Sequence, residues 1–150
     1  MKAAYRVIAH IIALGVVAQA SFIALGWFTT LHDIDKNHLV VDKAYIDGDN
    51  ANIGHVLHGI VGMNVMPLLG LALLIVSFFA KIPGGVKWAG FTLLAVVVQV
   101  ALALISFGAP AVGALHGINA IVLFTVALIT GRRVTTAAPA AVPAPEAATV

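Results

Sequence analysis

The sequence contains no cysteine, and charged residues make up only 9% of its 150 positions. The lack of cysteine excludes disulfides, thiolate-held zinc, iron–sulfur clusters and covalently attached haem. The formal net charge is +2 and the basic residues are scattered. Without a basic patch or aromatic stacking platforms, nucleic acid is excluded as a partner. So low a charge content is also atypical of a water-soluble enzyme.

Long apolar runs take the place of the missing charges. Hydrophobic residues make up 61% of the chain, and the mean hydropathy is +1.07. Four runs are free of Asp, Glu, Lys and Arg, namely residues 7–28, 53–80, 88–107 and 112–130. Each is long enough for a helix rising about 1.5 Å per residue to cross a hydrocarbon core of about 30 Å. The sequence predicts an all-α fold in which residues 1–133 form a four-helix bundle in the lipid bilayer.

Three pairs of basic residues flank the runs on the same side of this bundle. They are Lys2 and Arg6, Lys81 and Lys87, and Arg132 and Arg133. Because Lys and Arg near span ends are retained inside, we expect a multi-pass protein of the cytoplasmic membrane with both termini cytoplasmic. Residues 29–50, which carry five aspartates, then face outside. Residues 134–150, rich in Ala and Pro, are predicted to form a disordered tail.

An internal repeat is the most specific pattern in the chain. The tetrad Leu-His-Gly-Ile opens the second run at residues 57–60 and the fourth run at residues 115–118. Similar segments end at Gln19 in the first run and Gln99 in the third. This predicts two tandem helical hairpins, a parallel repeat about an axis along the membrane normal. Both glutamines fall near mid-membrane, where an amide needs a partner on another helix, so we expect them to bond each other.

The repeat places His58 and His116 at one depth, roughly 6–8 Å below the same end of two helices of equal direction. Ionisable side chains within a span face the bundle interior and have partners there. Two imidazoles at one depth suit an iron porphyrin held from both sides, with the ligating nitrogens about 4 Å apart. The residues expected to leave space for such a ring are small and lie on the turns of the histidines: Gly59, Gly62, Gly117 and Ala120.

With these two histidines, the four spans resemble the small four-helix haem b membrane proteins of the cytochrome b561 and haem A synthase families. The resemblance implies haem b with His58 and His116 as axial ligands, and a role in electron transfer or haem handling near the outer face. A second haem would need another pair near the cytoplasmic side, where only His10 lies, so one haem is the maximum expected. The chain also resembles an uncharacterised family of small four-span bacterial membrane proteins.

The other histidines allow further interpretations. His55 lies three residues before His58 on the same face, so the two could hold a metal ion with Asp47 or Asp49. Alternatively, His55 touches solvent or a haem propionate at the membrane surface. His10 is interpreted as an interface residue near Arg6 rather than a ligand.

Other functions stay open at this point. His58 and His116 could be a structural pair that hydrogen-bonds across helices, and the protein a non-catalytic accessory subunit of a larger membrane complex. A small transporter is disfavoured, because no span carries a carboxylate, Lys or Arg for ion coupling. We favour a non-enzymatic role, with a redox partner or a larger membrane complex as the expected partner.

Overall fold

The computed structural model describes residues 1–47 and 51–134, and within them the regular secondary structure is entirely helical. Helix α1 covers Lys2–Asn37, the short α2 Lys43–Asp47, α3 Ile53–Ala80, α4 Gly85–Ser106 and α5 Gly113–Arg132, which follows a 3-10 turn at Pro110–Val112. The four long helices are apolar enough to cross a membrane. The all-α class and the four membrane-spanning helices are thus confirmed. The predicted disordered tail lies almost wholly outside the described residues.

Helix α1 is longer at both ends than its apolar run. Its 36 residues would span about 54 Å, far more than the bilayer core of about 30 Å. Hydropathy marks only the part of a helix that lipid can surround. The helix continues through the mostly polar residues 29–37 because they include no Gly or Pro to break it. It ends where His38 adopts a left-handed conformation (φ 54°) and its backbone N–H bonds the Asp33 carbonyl.

The four long helices form an up-and-down ring in which each packs against two others. Helix α1 lies beside α3 and α5, and α4 lies beside the same two, so α3 and α5 are diagonal to each other. The end that carries Met1, the α3–α4 turn and Arg133 is called the termini end here, and the opposite end the loop end. Both described chain ends therefore lie at one end, as the predicted orientation requires.

The half of the bundle nearest the termini end is closely packed. Small side chains let the helices approach, and polar groups bond across them. The Tyr5 hydroxyl donates to the Gly85 carbonyl at 2.9 Å, and the hydroxyls of Thr92 and Thr130 lie 3.0 Å apart. The buried residues of this half include Ala9, Ile12, Ala13, Leu73, Ala80, Ala89, Leu123 and Ala127.

At the loop end, α1 and α3 touch closely at one glycine pair. A Cβ added at Gly54 would lie only 2.2 Å from the backbone nitrogen of Gly26, so these helices require glycine here. Asn52 caps α3 and also donates to the Gly26 carbonyl at 2.8 Å. Deeper in α3, residues Val61–Val65 form a π-helical turn immediately before Pro67. Pro67 has no N–H to give to the preceding turn, and π turns of this kind are common at functional sites.

Candidate functional site

A cavity of about 610 Å³ lies between the four long helices in the loop half. Its volume falls within the range of about 300–1,000 Å³ that is usual for cofactor sites. The walls are almost entirely apolar, and the polar side chains among them are His58, His116, Gln19 and Gln99. Six of the seven residues predicted for the site line the cavity: His58, Gly59, Gly62, His116, Gly117 and Ala120.

The imidazoles of His58 and His116 both line this cavity, and the two rings lie edge to face. Their ring centres lie 6.3 Å apart, with an angle of 62° between the ring planes. Two iron–nitrogen bonds of about 2 Å, with about 1 Å from each nitrogen to its ring centre, give a separation of about 6 Å. The observed distance therefore matches that of two imidazoles sharing one iron, although the histidines come from diagonal helices.

Each histidine is oriented by the helix that precedes its own. Nδ1 of His58 lies 3.0 Å from the Gln19 carbonyl oxygen, and Nδ1 of His116 lies 3.0 Å from the Gln99 carbonyl oxygen. A carbonyl oxygen only accepts, so Nδ1 carries the hydrogen in both rings and Nε2 keeps its lone pair. This is the arrangement that commonly holds metal-binding histidines in position.

The same tautomers exclude a direct hydrogen bond between the two rings. With hydrogen on Nδ1, both Nε2 atoms are acceptors, and neither can donate to the other. Among the described residues, no hydrogen bond joins His58 to His116. Each histidine does hydrogen-bond across to another helix, through the Gln19 and Gln99 carbonyls, so the alternative of a structural histidine pair stays open with these partners.

The small residues of the site have two different roles. A Cβ added at Gly59 or Gly117 would meet no other described atom within 4 Å, because each position borders open space. A Cβ at Gly62 would lie 3.0 Å from Nε2 of Gln19. Gly62 thus makes room for the Gln19 amide, whereas Gly59 and Gly117 leave room beside the imidazoles.

The two glutamines do not bond each other, so that prediction is wrong. Nε2 of Gln99 lies 3.1 Å from Nε2 of His116 and donates to the His116 carbonyl at 3.0 Å. Its oxygen accepts from Asn119 at 2.7 Å. Both amide atoms of Gln19, in contrast, are buried without a hydrogen-bond partner among the residues that the structure describes. An amide buried in this way costs free energy unless an occupant of the cavity pairs with it.

The remaining histidine predictions concern positions outside the cavity. His55 packs against Gly26, where an added Cβ would lie 2.6 Å from its Cδ2. Its proposed partner Asp49, and the side chain of Asp47, lie outside the described residues, so a shared metal site stays a prediction. His10 lies near the termini end, and its Nδ1 is 2.6 Å from the Arg6 carbonyl oxygen, which agrees with its interpretation as a neighbour of Arg6.

The side chains available to bind a metal distinguish between a bare metal ion and a haem as the occupant of the cavity. Within residues 1–47 and 51–134, no three His, Asp or Glu side chains are grouped to bind a metal ion. A bare zinc ion prefers four ligands, or three and water, and His58 with His116 supplies two. An iron porphyrin brings four nitrogens of its own and needs from the protein only axial ligands. The residues present therefore fit a haem better than a bare ion.

One residue of the site is missing from the sequence-based prediction. Asn119 holds Gln99 in place through the 2.7 Å bond and also donates to the Ala95 carbonyl at 2.9 Å. The available signal was a polar amide inside an apolar run, three residues after His116, where the equivalent position after His58 is Val61.

No protein-family model, curated protein or solved structure matches this chain. The interpretation of the site therefore depends on its own geometry.

Proposed function

We propose that this chain is an integral membrane haem b protein, with His58 and His116 as the axial ligands of a single haem. The observation that carries the proposal is the 6.3 Å separation of two imidazoles whose Nδ1 atoms are both tied to backbone carbonyls. The cavity between them and the open space at Gly59 and Gly117 support it. A bound haem would supply one-electron chemistry, in electron transfer or haem handling.

The protein's own residues would then bind and shield the group. The carbonyls of Gln19 and Gln99 hold the imidazoles in one tautomer, and the apolar walls keep water from the metal. Large buried side chains such as Tyr5 and Leu73 fill the termini half. This packing supports one haem per chain and argues against electron transfer across the whole bilayer.

The decisive experiment is a visible spectrum of the detergent-purified protein, before and after haem is added. We expect a Soret band with about one haem per chain, and the same band in His10→Ala, whose ring lies near the termini end. A protein that stays colourless after haem is added, while folded and helical by circular dichroism, would rule out the proposal.

We further propose that the loop end faces outward and both termini are cytoplasmic. The charge asymmetry of the flanking residues supports this orientation. Because the chain has no native cysteine, single cysteines at Val40 (loop end) and Pro83 (termini end) report the two sides cleanly. An impermeant thiol reagent added to intact cells should label Val40→Cys and not Pro83→Cys. The reverse pattern would invert the orientation.

A second candidate function is an accessory subunit, and one observation favours it. Asn64 is exposed in the middle of α3, and its amide nitrogen donates to the Ile60 carbonyl of the same helix at 3.0 Å. A polar side chain on a lipid-facing surface suits contact with another membrane helix. If Asn64→Leu frees the chain from a co-purifying membrane complex while wild type contains no haem, this function replaces the first.

A further inference from the structure

The two histidines of the cavity are chemically unequal. Nε2 of His116 receives an N–H from the Gln99 side chain at 3.1 Å, since Nδ1 of the same ring carries the hydrogen. His58 has the equivalent Nδ1 contact with Gln19, but within residues 1–47 and 51–134 the Gln19 amide has no hydrogen-bond partner. In His116, the Nε2 lone pair that would bind iron therefore accepts a hydrogen bond from the Gln99 side chain. In His58, the Nε2 lone pair accepts none from the Gln19 side chain.

The cause is one difference between the two halves of the chain. Three residues after His116, Asn119 donates to the oxygen of Gln99 and so turns its nitrogen toward His116. Three residues after His58 the chain has Val61, whose side chain has no polar atom to orient the Gln19 amide. The similar local sequences thus produce one histidine whose Nε2 is capped by an amide and one whose Nε2 is not.

We propose that Gln99 competes with iron for Nε2 of His116, so that His58 is the permanent axial ligand and His116 a displaceable one. This inference rests on the proposed haem site. With haem bound, Nε2 of His116 would either bind the iron or release it and accept the Gln99 N–H, and release would leave the iron able to take the lone pair of an incoming ligand. No electron or proton is transferred in this exchange. The ligands expected are small π-acceptors or anions, for which carbon monoxide and cyanide are probes.

Gln99 is a positioning residue in this scheme, and its side chain can be removed without disturbing the ring. The carbonyl that holds Nδ1 belongs to the backbone, so Gln99→Leu keeps that hydrogen bond while it removes the competing N–H. Asn119→Val removes the group that orients Gln99 and puts the same residue type there as in the first half. Thr92→Val is the control, because it also removes a hydrogen bond between two helices, on the same helix as Gln99 but in the termini half and outside the cavity wall.

The experiment measures carbon monoxide affinity of the ferrous protein and the spin state of the ferric protein, both per bound haem. Wild type should bind carbon monoxide and show a high-spin fraction. Gln99→Leu should weaken carbon monoxide binding about two- to tenfold, the range of one net hydrogen bond, and shift the ferric form toward low spin. Asn119→Val should also weaken carbon monoxide binding and shift the ferric form toward low spin. If Gln99→Leu does not fold, Asn119→Val takes its place as the test. Thr92→Val should leave both measurements unchanged.

Ligand deletions complete the test. His116→Ala should retain haem as a five-coordinate form, whereas His58→Ala should lose it. A haem-loaded wild type that is purely low-spin and refuses carbon monoxide, or equal haem loss in the two histidine variants, would overturn the inference and leave the haem site standing. Failure of wild type to bind haem at all overturns both. In the haem-free protein, ¹⁵N NMR should also show that Gln99→Leu shifts Nε2 of His116 and not Nε2 of His58.

Discussion

The two halves of the bundle are built in opposite ways. Toward the termini end, Tyr5, Ile12 and Leu73 are completely buried, and hydroxyls bond across the helices. Toward the loop end, the same four helices surround a cavity of about 610 Å³ bordered by glycines with nothing against them. Val96 and Leu123 belong both to the core and to the cavity wall, so they mark where one half meets the other.

This difference shows how the molecule separates stability from binding. In lipid, helices associate through close packing and interhelical hydrogen bonds rather than through the exclusion of water. The termini half concentrates the close packing, with Tyr5, Ile12 and Leu73 fully buried. The hydrogen bonds of Asn52 and Asn119, in contrast, join the helices of the loop half around its open cavity. Changes at the cavity wall should therefore alter binding with little loss of stability, and changes to the buried side chains of the termini half should do the reverse.

The largest expected effect is on haem content. His58→Ala removes the proposed ligand whose Nε2 has no competing glutamine amide, and it should lower the haem-to-protein ratio about tenfold or more. The comparison variant is His10→Ala in the termini half, which should retain the full ratio, measured from the Soret band against protein concentration. Equal haem in both variants would show that the cavity is not the haem site.

The next largest effect is on stability, and it comes from truncating a core leucine. Leu73 is 0% exposed, and Leu73→Ala should cost about 2–5 kcal/mol through lost packing. Leu104 lines the cavity and is 53% exposed, so Leu104→Ala should cost much less. Thermal or denaturant unfolding in detergent compares the two. Similar losses would mean that both halves support the bundle equally.

Adding a methyl group at a glycine should give a smaller difference in stability between the two halves. At Gly131 a Cβ would lie 2.6 Å from Cε1 of His10, so Gly131→Ala should push the His10 ring away from the Arg6 carbonyl and destabilise the termini half by about 0.5–1.5 kcal/mol. At Gly117 the Cβ would enter open space, so Gly117→Ala should leave stability unchanged. Gly117→Leu should also keep stability but lower haem content, because its side chain extends into the cavity. Strong destabilisation by Gly117→Ala would contradict an open loop half.

The sequence predicts the fold well and the details of the site only in part. Hydropathy locates four spans because lipid imposes the same requirement along each run, but it does not show where α1 ends, since polar residues also continue a helix. The repeated tetrad identifies His58 and His116. It cannot show which atoms bond to them, because the contact with the Gln19 carbonyl depends on how α1 and α3 are rotated against each other. The role of Gly62 beside that amide depends on the same rotation.

The smallest effects should differ in sign between the halves. Thr92 pairs with Thr130 at 3.0 Å in the termini half, so Thr92→Val removes a satisfied hydrogen bond and should cost about 0.6 kcal/mol. Gln19→Leu removes an amide with two unpaired buried atoms and keeps the backbone carbonyl that holds His58. It should therefore stabilise the haem-free protein by about 1 kcal/mol. Unfolding of both haem-free variants in one detergent measures the contrast. If Gln19→Leu instead destabilises the protein as Thr92→Val does, the Gln19 amide has a partner, and the loop half is more closely packed than its cavity implies.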